Sequence, residues 1–180
     1  MLSRDEVKRR VLQAIDAHGD EIIAISKTIL KNPEPGFKEV KTAALVSERF
    51  QKLGIPHRTG LALTGVKGQL QGGSPGPNVA VLGELDSLIV HQHPHADPKT
   101  GAAHACGHHA QIGMMLGAAI GLLAPGVMES LSGTVTLFAV PAEEYIEIEY
   151  RDSLRQQGKI EFLGGKPELV RLGEFDDVNI

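Results

Sequence analysis

Apolar side chains in the first thirty residues recur at Val7, Val11, Ile15, Ile22, Ile25 and Ile29, close to the spacing of one helical face. Ser3, with Glu6 three residues on, is a capping box that starts this helix. Gly19 is placed to dent it, and the prolines of "NPEPGF" (Asn32 to Phe37) stop it. A second amphipathic helix is expected from about Lys38, with Val40, Ala43, Ala44, Val46, Phe50 and Leu53 on its apolar side and Gly54 as its C-terminal cap. The period then changes. "ALTGVKGQL" (Ala62 to Leu70) and "NVAVLGEL" (Asn78 to Leu85) read as strands joined by the turn-rich "QGGSPGP". From about Cys106 to Leu123 small and apolar residues predict a buried helix, whose Gly113, Gly117 and Gly121 allow close packing. "GTVTLFAV" (Gly133 to Val140) is apolar almost throughout, as in a strand covered on both faces. Strand, crossover helix, strand predicts an α/β fold: a three-layer sheet with a mostly parallel core and helices on both faces. The tail after Glu144 carries helix and loop signals without a clear terminal cap, and "DDVNI" offers no natural stop, so the chain is expected to be a piece of something longer.

Composition narrows the classes. The 180 residues leave room for one domain with a hydrophobic core. Eighteen basic against 22 acidic side chains, with no Lys/Arg-rich run, give no nucleic-acid footprint. The longest apolar run, "MMLGAAIGLLAPGV" (Met114 to Val127), is too short for a bilayer span, so no membrane partner is expected. A single cysteine excludes an internal disulfide framework and fits a reducing compartment, and the charged N-terminus does not read as a signal peptide. The expected location is the cytoplasm.

Candidate chemistry sits in four short segments: "GELDSL" (Gly83 to Leu88), "HPHAD" (His93 to Asp97), "HACGHH" (His104 to His109) and "PAEE" (Pro141 to Glu144). "GELD" and "PAEE" end predicted strands, and "HACGHH" opens the helix between them, so one sheet edge can gather all three. Thiolate, imidazole and carboxylate are zinc's usual ligands. Cys106 and His108 can face one site from one tight turn, and of the adjacent Glu143 and Glu144 one can ligate while the other serves as a general base. Asp86 can orient an imidazole. Plainer readings stand beside these. A lone cysteine is often a small buried apolar residue. His91, His93 and His95 read as solvated loop residues, His18 and His57 as structural, and Met114, Met115 and Leu116 as core.

The order "NPEPGFKEVKTAALVSERFQKLGI", "GELDSL", "HACGHHAQIGMMLGAAIGL", "FAVPAEE" resembles the metal-dependent aminoacylase and carboxypeptidase family of amidohydrolases, in the branch of aminobenzoyl-glutamate, hippurate and auxin-conjugate hydrolases. The resemblance covers roughly Asn32 to Glu144. It implies metal ligation by Cys106, His108 and Glu144, with Cys106 bridging two metals, Glu143 as general base and Asp86 as a catalytic residue at the strand end. It implies two divalent ions, zinc or manganese, per complete site, hydrolysis of the amide of an N-acyl or N-aroyl amino acid or a short peptide-like substrate, and a homodimer for the complete protein. Two features depart from the family pattern. His109 stands where the family usually has Asp, and no histidine follows His109 to supply the two further imidazole ligands. Residues 1–180 are therefore expected to be the N-terminal part of the catalytic domain, without the lid or dimerisation domain and the C-terminal half, and weak or inactive by themselves. Two alternatives stay open: a Cys-His nucleophilic hydrolase using Cys106 with His104 or His109, and a non-catalytic assembly or regulatory domain that keeps the fold.

Overall fold

The computed structural model describes residues 2–180. The helix expected from Ser3 begins as predicted: the Ser3 hydroxyl accepts from the Glu6 N–H at 3.2 Å. It does not run unbroken to Ile29. α1 (Arg4–Ala17) and α2 (Gly19–Leu30) meet at His18, which leaves helical geometry at φ −109° and ψ 12°. The break lets both helices wrap a third. α3 (Val40–Lys52) follows the proline stop and closes with the predicted Gly54 at φ 69°. The Gly54 N–H bonds the Gln51 carbonyl at 3.1 Å, and the Ile55 N–H bonds the Phe50 carbonyl at 2.8 Å. This is the paired return of a Schellman cap.

The sheet contains β1 (His57–Leu61), β2 (Gly65–Gln71), β3 (Ser74–Glu84) and β6 (Ser132–Val140), in the order β1-β2-β6-β3. β6 lies between β2 and β3, parallel to β3 and antiparallel to β2; β1 is antiparallel to β2. The parallel core is thus one ladder in a mixed sheet. β1 has no counterpart among the expected strands. A small hairpin, β4 (Leu88–Ile89) with β5 (Ala102–Ala103), brackets the histidine-rich loop.

One sheet face carries Val66, Leu70, Leu137 and Ala139 into a core with Val46, Phe50, Ile112 and Leu116. The crossover helix α4 (His108–Leu122) supplies the last two. Its glycines face α1 and α2: a Cβ on Gly113 would lie 2.0 Å from Ser26 Oγ, and one on Gly121 would lie 2.8 Å from a Val11 methyl. Close approach at these positions needs glycine. Of the expected core trio, Met115 and Leu116 are buried, but Met114 is 65% exposed on the outer side of α4. The opposite sheet face packs Phe138 and Val140 against Ala62 and Leu169. Leu169 belongs to α6 (Gly165–Arg171), which follows α5 (Ile148–Gln156). Helices therefore flank both faces. The buried Lys67 ammonium draws the last residues onto the sheet through the Glu174 carbonyl and the Asp177 carboxylate, each at 2.6 Å. Among the described residues no helix is long and apolar enough to cross a membrane.

Candidate metal centre

β3 and β6 run parallel, so their C-terminal ends open on the same edge of the sheet. Glu84 closes β3 and is followed by Leu85 and Asp86; Val140 closes β6 and is followed by Pro141 to Glu144. Between them Gly107, in the left-handed region at φ 101°, turns the chain into α4 so that His108 is its first residue.

His108 is the hub. Its Nδ1 lies 2.8 Å from the Asp86 main-chain carbonyl, which can only accept, so this nitrogen carries the proton. The other nitrogen, Nε2, faces three carboxylates: Glu84 at 2.9 Å, Glu143 at 3.7 Å and Glu144 at 3.8 Å. A neutral imidazole would aim a lone pair at those oxygens. The geometry therefore calls for positive charge among them, either a proton on Nε2 or a cation. Burial opposes the charged imidazole, but the carboxylate and carbonyl of Asp86 and the charge of Glu84 outweigh it and raise the pKa of His108 to about 9.

Asp86 is fully buried. Its Oδ2 accepts the Glu144 N–H at 2.9 Å, which ties the "PAEE" segment to the end of β3. Among the described residues the Asp86 Oδ1 and Glu144 Oε1 atoms are buried without a hydrogen-bond partner. Cys106, the expected buried thiol on the plainer reading, is exposed. Its sulfur, an imidazole nitrogen of His108 and a Glu144 oxygen all lie within 4.8 Å of one another. Glu84, His108 and Glu143 form a second such group sharing the same imidazole. Soft, borderline and hard donors converge here, and among the described residues Glu144 Oε1 has no hydrogen-bond donor, so the residues fit a divalent cation.

The thiol environment bears on the nucleophile alternative. A hydrogen bond to Glu144, burial, and the charges of Glu144, Glu143 and Glu84 all push the Cys106 thiol up. A nucleophilic cysteine needs the opposite surroundings. A cation at the three donors would reverse the field and hold the sulfur as thiolate.

The remaining histidines stand outside the ligand groups. His57 is structural, with Nε2 at 2.8 Å from Ser47 Oγ and Nδ1 at 2.8 Å from the Ile55 carbonyl. His18 Nδ1 lies 2.8 Å from the Ala14 carbonyl. His91 and His95 are exposed and His93 is half-buried. His104 is buried, with neither ring nitrogen bonded among the described residues, its ring 5.6 Å from that of His109. Burial, then the neighbouring His109 and His108, push His104 down to about 4 against the pull of Asp86.

Four side chains enter the site without having been singled out. Glu84 lies two residues before Asp86, and that spacing at a strand end is a signal the sequence did hold. Lys166, at the start of α6, pairs with Glu84 and lies 3.8 Å from Glu143. Fully buried Glu39 and Arg151 grip the main chain around Glu143. Glu143 itself borders a shallow recess of about 190 Å³, lined also by Tyr145, Lys166 and Pro167.

No protein-family model matches the chain. Among curated relatives, thermostable carboxypeptidase 2 of Saccharolobus solfataricus is 39% identical over 129 residues, covering 69% of this chain and 32% of the relative. The IAA-amino acid hydrolase ILR1-like 5 of Arabidopsis thaliana is 38% identical over 128 residues, covering 69% of this chain and 29% of the relative. Among solved structures, the Bacillus subtilis YXEP protein, described as a dinuclear metal binding peptidase from the M20 family, superposes with a TM-score of 0.73 at 24% identity, covering 91% of this chain and 42% of that one. The chain spans about a third of the length of the curated relatives it matches. Shared sequence with these relatives and the shared fold place the chain in the aminoacylase and carboxypeptidase family of amidohydrolases.

Proposed function

We propose that this chain is the N-terminal part of the catalytic domain of a metal-dependent amidohydrolase that cleaves the amide of an N-acyl or N-aroyl amino acid. The observation that carries the reading is the convergence of Cys106, His108 and Glu144 within 4.8 Å, with Glu143 beside them. The activities for which two relatives are named, IAA-amino acid hydrolase and N-acyl-L-amino acid amidohydrolase, agree with it.

Cys106, His108 and Glu144 hold one divalent ion, zinc or manganese, in this reading. When bound, the ion supplies Lewis acidity to the scissile carbonyl and acidifies water. The chain's own residues do the rest. Asp86 fixes the His108 imidazole through its main-chain carbonyl, leaving Nε2 free to ligate. Glu143, whose carboxylate is partly exposed toward the recess, takes the proton of the attacking water on a carboxylate oxygen and returns it to the leaving amine. The lid domain, the further imidazoles for a second ion, homodimer formation and a cytoplasmic setting belong to the complete protein in the same reading. This part alone is proposed to bind a single ion weakly and to turn over little substrate.

Cobalt substitution tests the ligand set. Titrating Co²⁺ into the chain at neutral pH should produce a sulfur-to-cobalt charge-transfer band with one ion per chain, and Cys106→Ser should abolish it without altering thermal unfolding. A band that persists in the variant, or tight binding of two ions, contradicts the assignment. Activity of the complete protein on a panel of N-acyl amino acids, lost in Glu143→Gln, tests the reaction.

A further inference from the structure

The segment carrying Glu143 and Glu144 is strained. Ala142, which precedes them, sits in the left-handed region at φ 49° without being glycine. Such a backbone is costly and persists only where its surroundings over-determine it. Here the surroundings are two fully buried ionisable side chains from distant parts of the chain.

From one side comes Glu39, the residue before α3. One carboxylate oxygen accepts the Ala142 N–H at 2.8 Å, and the other accepts the Thr64 hydroxyl at 2.7 Å. From the other side comes Arg151 in α5. Its Nη1 donates to the carbonyls of Leu163 at 2.8 Å and Ala142 at 3.3 Å, and its Nη2 donates to the Glu144 carbonyl. The guanidinium lies 5.4 Å from the Phe37 ring centre and 5.9 Å from that of Tyr145. Gly36 leaves it room: a Cβ there would come within 2.3 Å of Nη2. Among the described residues Arg151 makes no ion pair, and every hydrogen bond it donates goes to main-chain carbonyls of residues 142–163.

A carboxyl and a guanidinium are thus buried on either side of one peptide unit, joined only through it. Charged groups in the interior are a costly way to stabilise a fold, because apolar replacements of the same volume are often neutral or better. What they supply is direction: one donor set and one acceptor on the N–H and C=O of a single residue. We propose that Glu39 and Arg151 are a pair of positioning residues that clamp Ala142 and so aim Glu144 at Cys106 and His108, and Glu143 at the recess. This rests on the metal-centre reading for its effect on ligation, though the clamp itself is a property of the backbone.

The test compares wild type with Arg151→Met, Glu39→Leu and Glu39→Gln by amide hydrogen exchange and by Co²⁺ titration. In Arg151→Met and Glu39→Leu, exchange at the 142–145 amides should rise well above any change in the β6 amides, and Co²⁺ affinity should fall about ten- to hundredfold. Glu39→Gln should restore wild-type behaviour, since its carbonyl still accepts from Ala142 while its amide donates to the Thr64 hydroxyl. If Arg151→Met and Glu39→Leu do not fold, Thr64→Val, which removes only the hydroxyl bond, should still show faster exchange at 142–145 than wild type. Exchange at 142–145 that moves only in step with β6 overturns the clamp. Local exchange that rises while Co²⁺ affinity and its charge-transfer band stay at wild-type values overturns its role in aiming Glu144. A wild-type chain with no sulfur-to-cobalt band removes the metal reading instead, and the exchange data then decide the clamp alone.

Discussion

Glu39→Gln also gives the sharpest stability prediction, because the two side chains occupy the same space and differ only in titration. Burial pushes the Glu39 carboxyl up from its ordinary 4.5 to about 7, against the lowering effect of the Thr64 and Ala142 hydrogen bonds and with a small push from the charge of Asp86. In the unfolded chain the group returns to its ordinary value. Between the two values the folded protein holds a proton that the unfolded chain has released, so stability falls as pH rises. At about 1.4 kcal/mol per unit, the whole displacement corresponds to roughly 3 kcal/mol, present below the unfolded value and gone once pH has passed through the folded one. From about pH 5 to about pH 8 the window captures most of it, about 2–3 kcal/mol. Urea unfolding of wild type and Glu39→Gln across that range isolates the effect, since every other titrating group is common to both and cancels in the difference. The variant should match wild type at the acid end and exceed it at the alkaline end. Two stability curves that stay parallel across the range would show that Glu39 does not titrate differently on folding, and the argument from burial would fail.

Glu168 should behave with the opposite sign. Burial raises its carboxyl, but the Arg171 side chain and the N–H groups of Phe162 and Glu161 outweigh this and hold it below the ordinary value. Its stabilisation is present above the unfolded pKa and lost as pH falls through the folded one, so Glu168→Gln should be less acid-sensitive than wild type in pH-dependent thermal melts. Phe50→Ala removes a fully buried ring between α3 and the sheet and should cost about 3–5 kcal/mol in denaturant unfolding. Gly54→Ala puts a side chain at φ 69°, where the Schellman cap needs glycine, and should cost about 1 kcal/mol in the same assay. A neutral result there would mean that the cap relaxes.

What could be read along the chain was local or periodic. The Ser3 cap, the proline stop and the Gly54 cap each depend on a few neighbouring residues, and each is where it was expected. The glycines of α4 repeat every four residues, and that spacing is the stripe into which Ser26 and Val11 pack. β1 carried no such signal: "HRTGL" is an edge strand whose central residues are exposed, so nothing forces an apolar alternation on it. The sheet order is also non-local. β2 and β3 are neighbours in sequence with a short turn-rich link, yet β6 inserts between them, and only the pairing of residues some sixty positions apart records this.

The site divides the same way, for a reason rooted in how charge is normally read. Cys106 and His108 are two residues apart, and the strand ends that deliver Asp86 and Glu144 follow from the α/β pattern, so their meeting was foreseeable. Glu39 and Arg151 were not, because a charged residue in a helical stretch is taken as solvated unless something shows otherwise. Their burial is imposed by partners that are main-chain atoms: the Ala142 N–H and the carbonyls of Ala142, Leu163 and Glu144. Every residue type carries those atoms, so no side-chain pattern betrays them. A left-handed alanine is equally silent, since only its environment holds it there. Residues that converge at such an edge can therefore be foreseen from spacing and strand ends, while those that grip the backbone around them emerge only when that backbone has been placed.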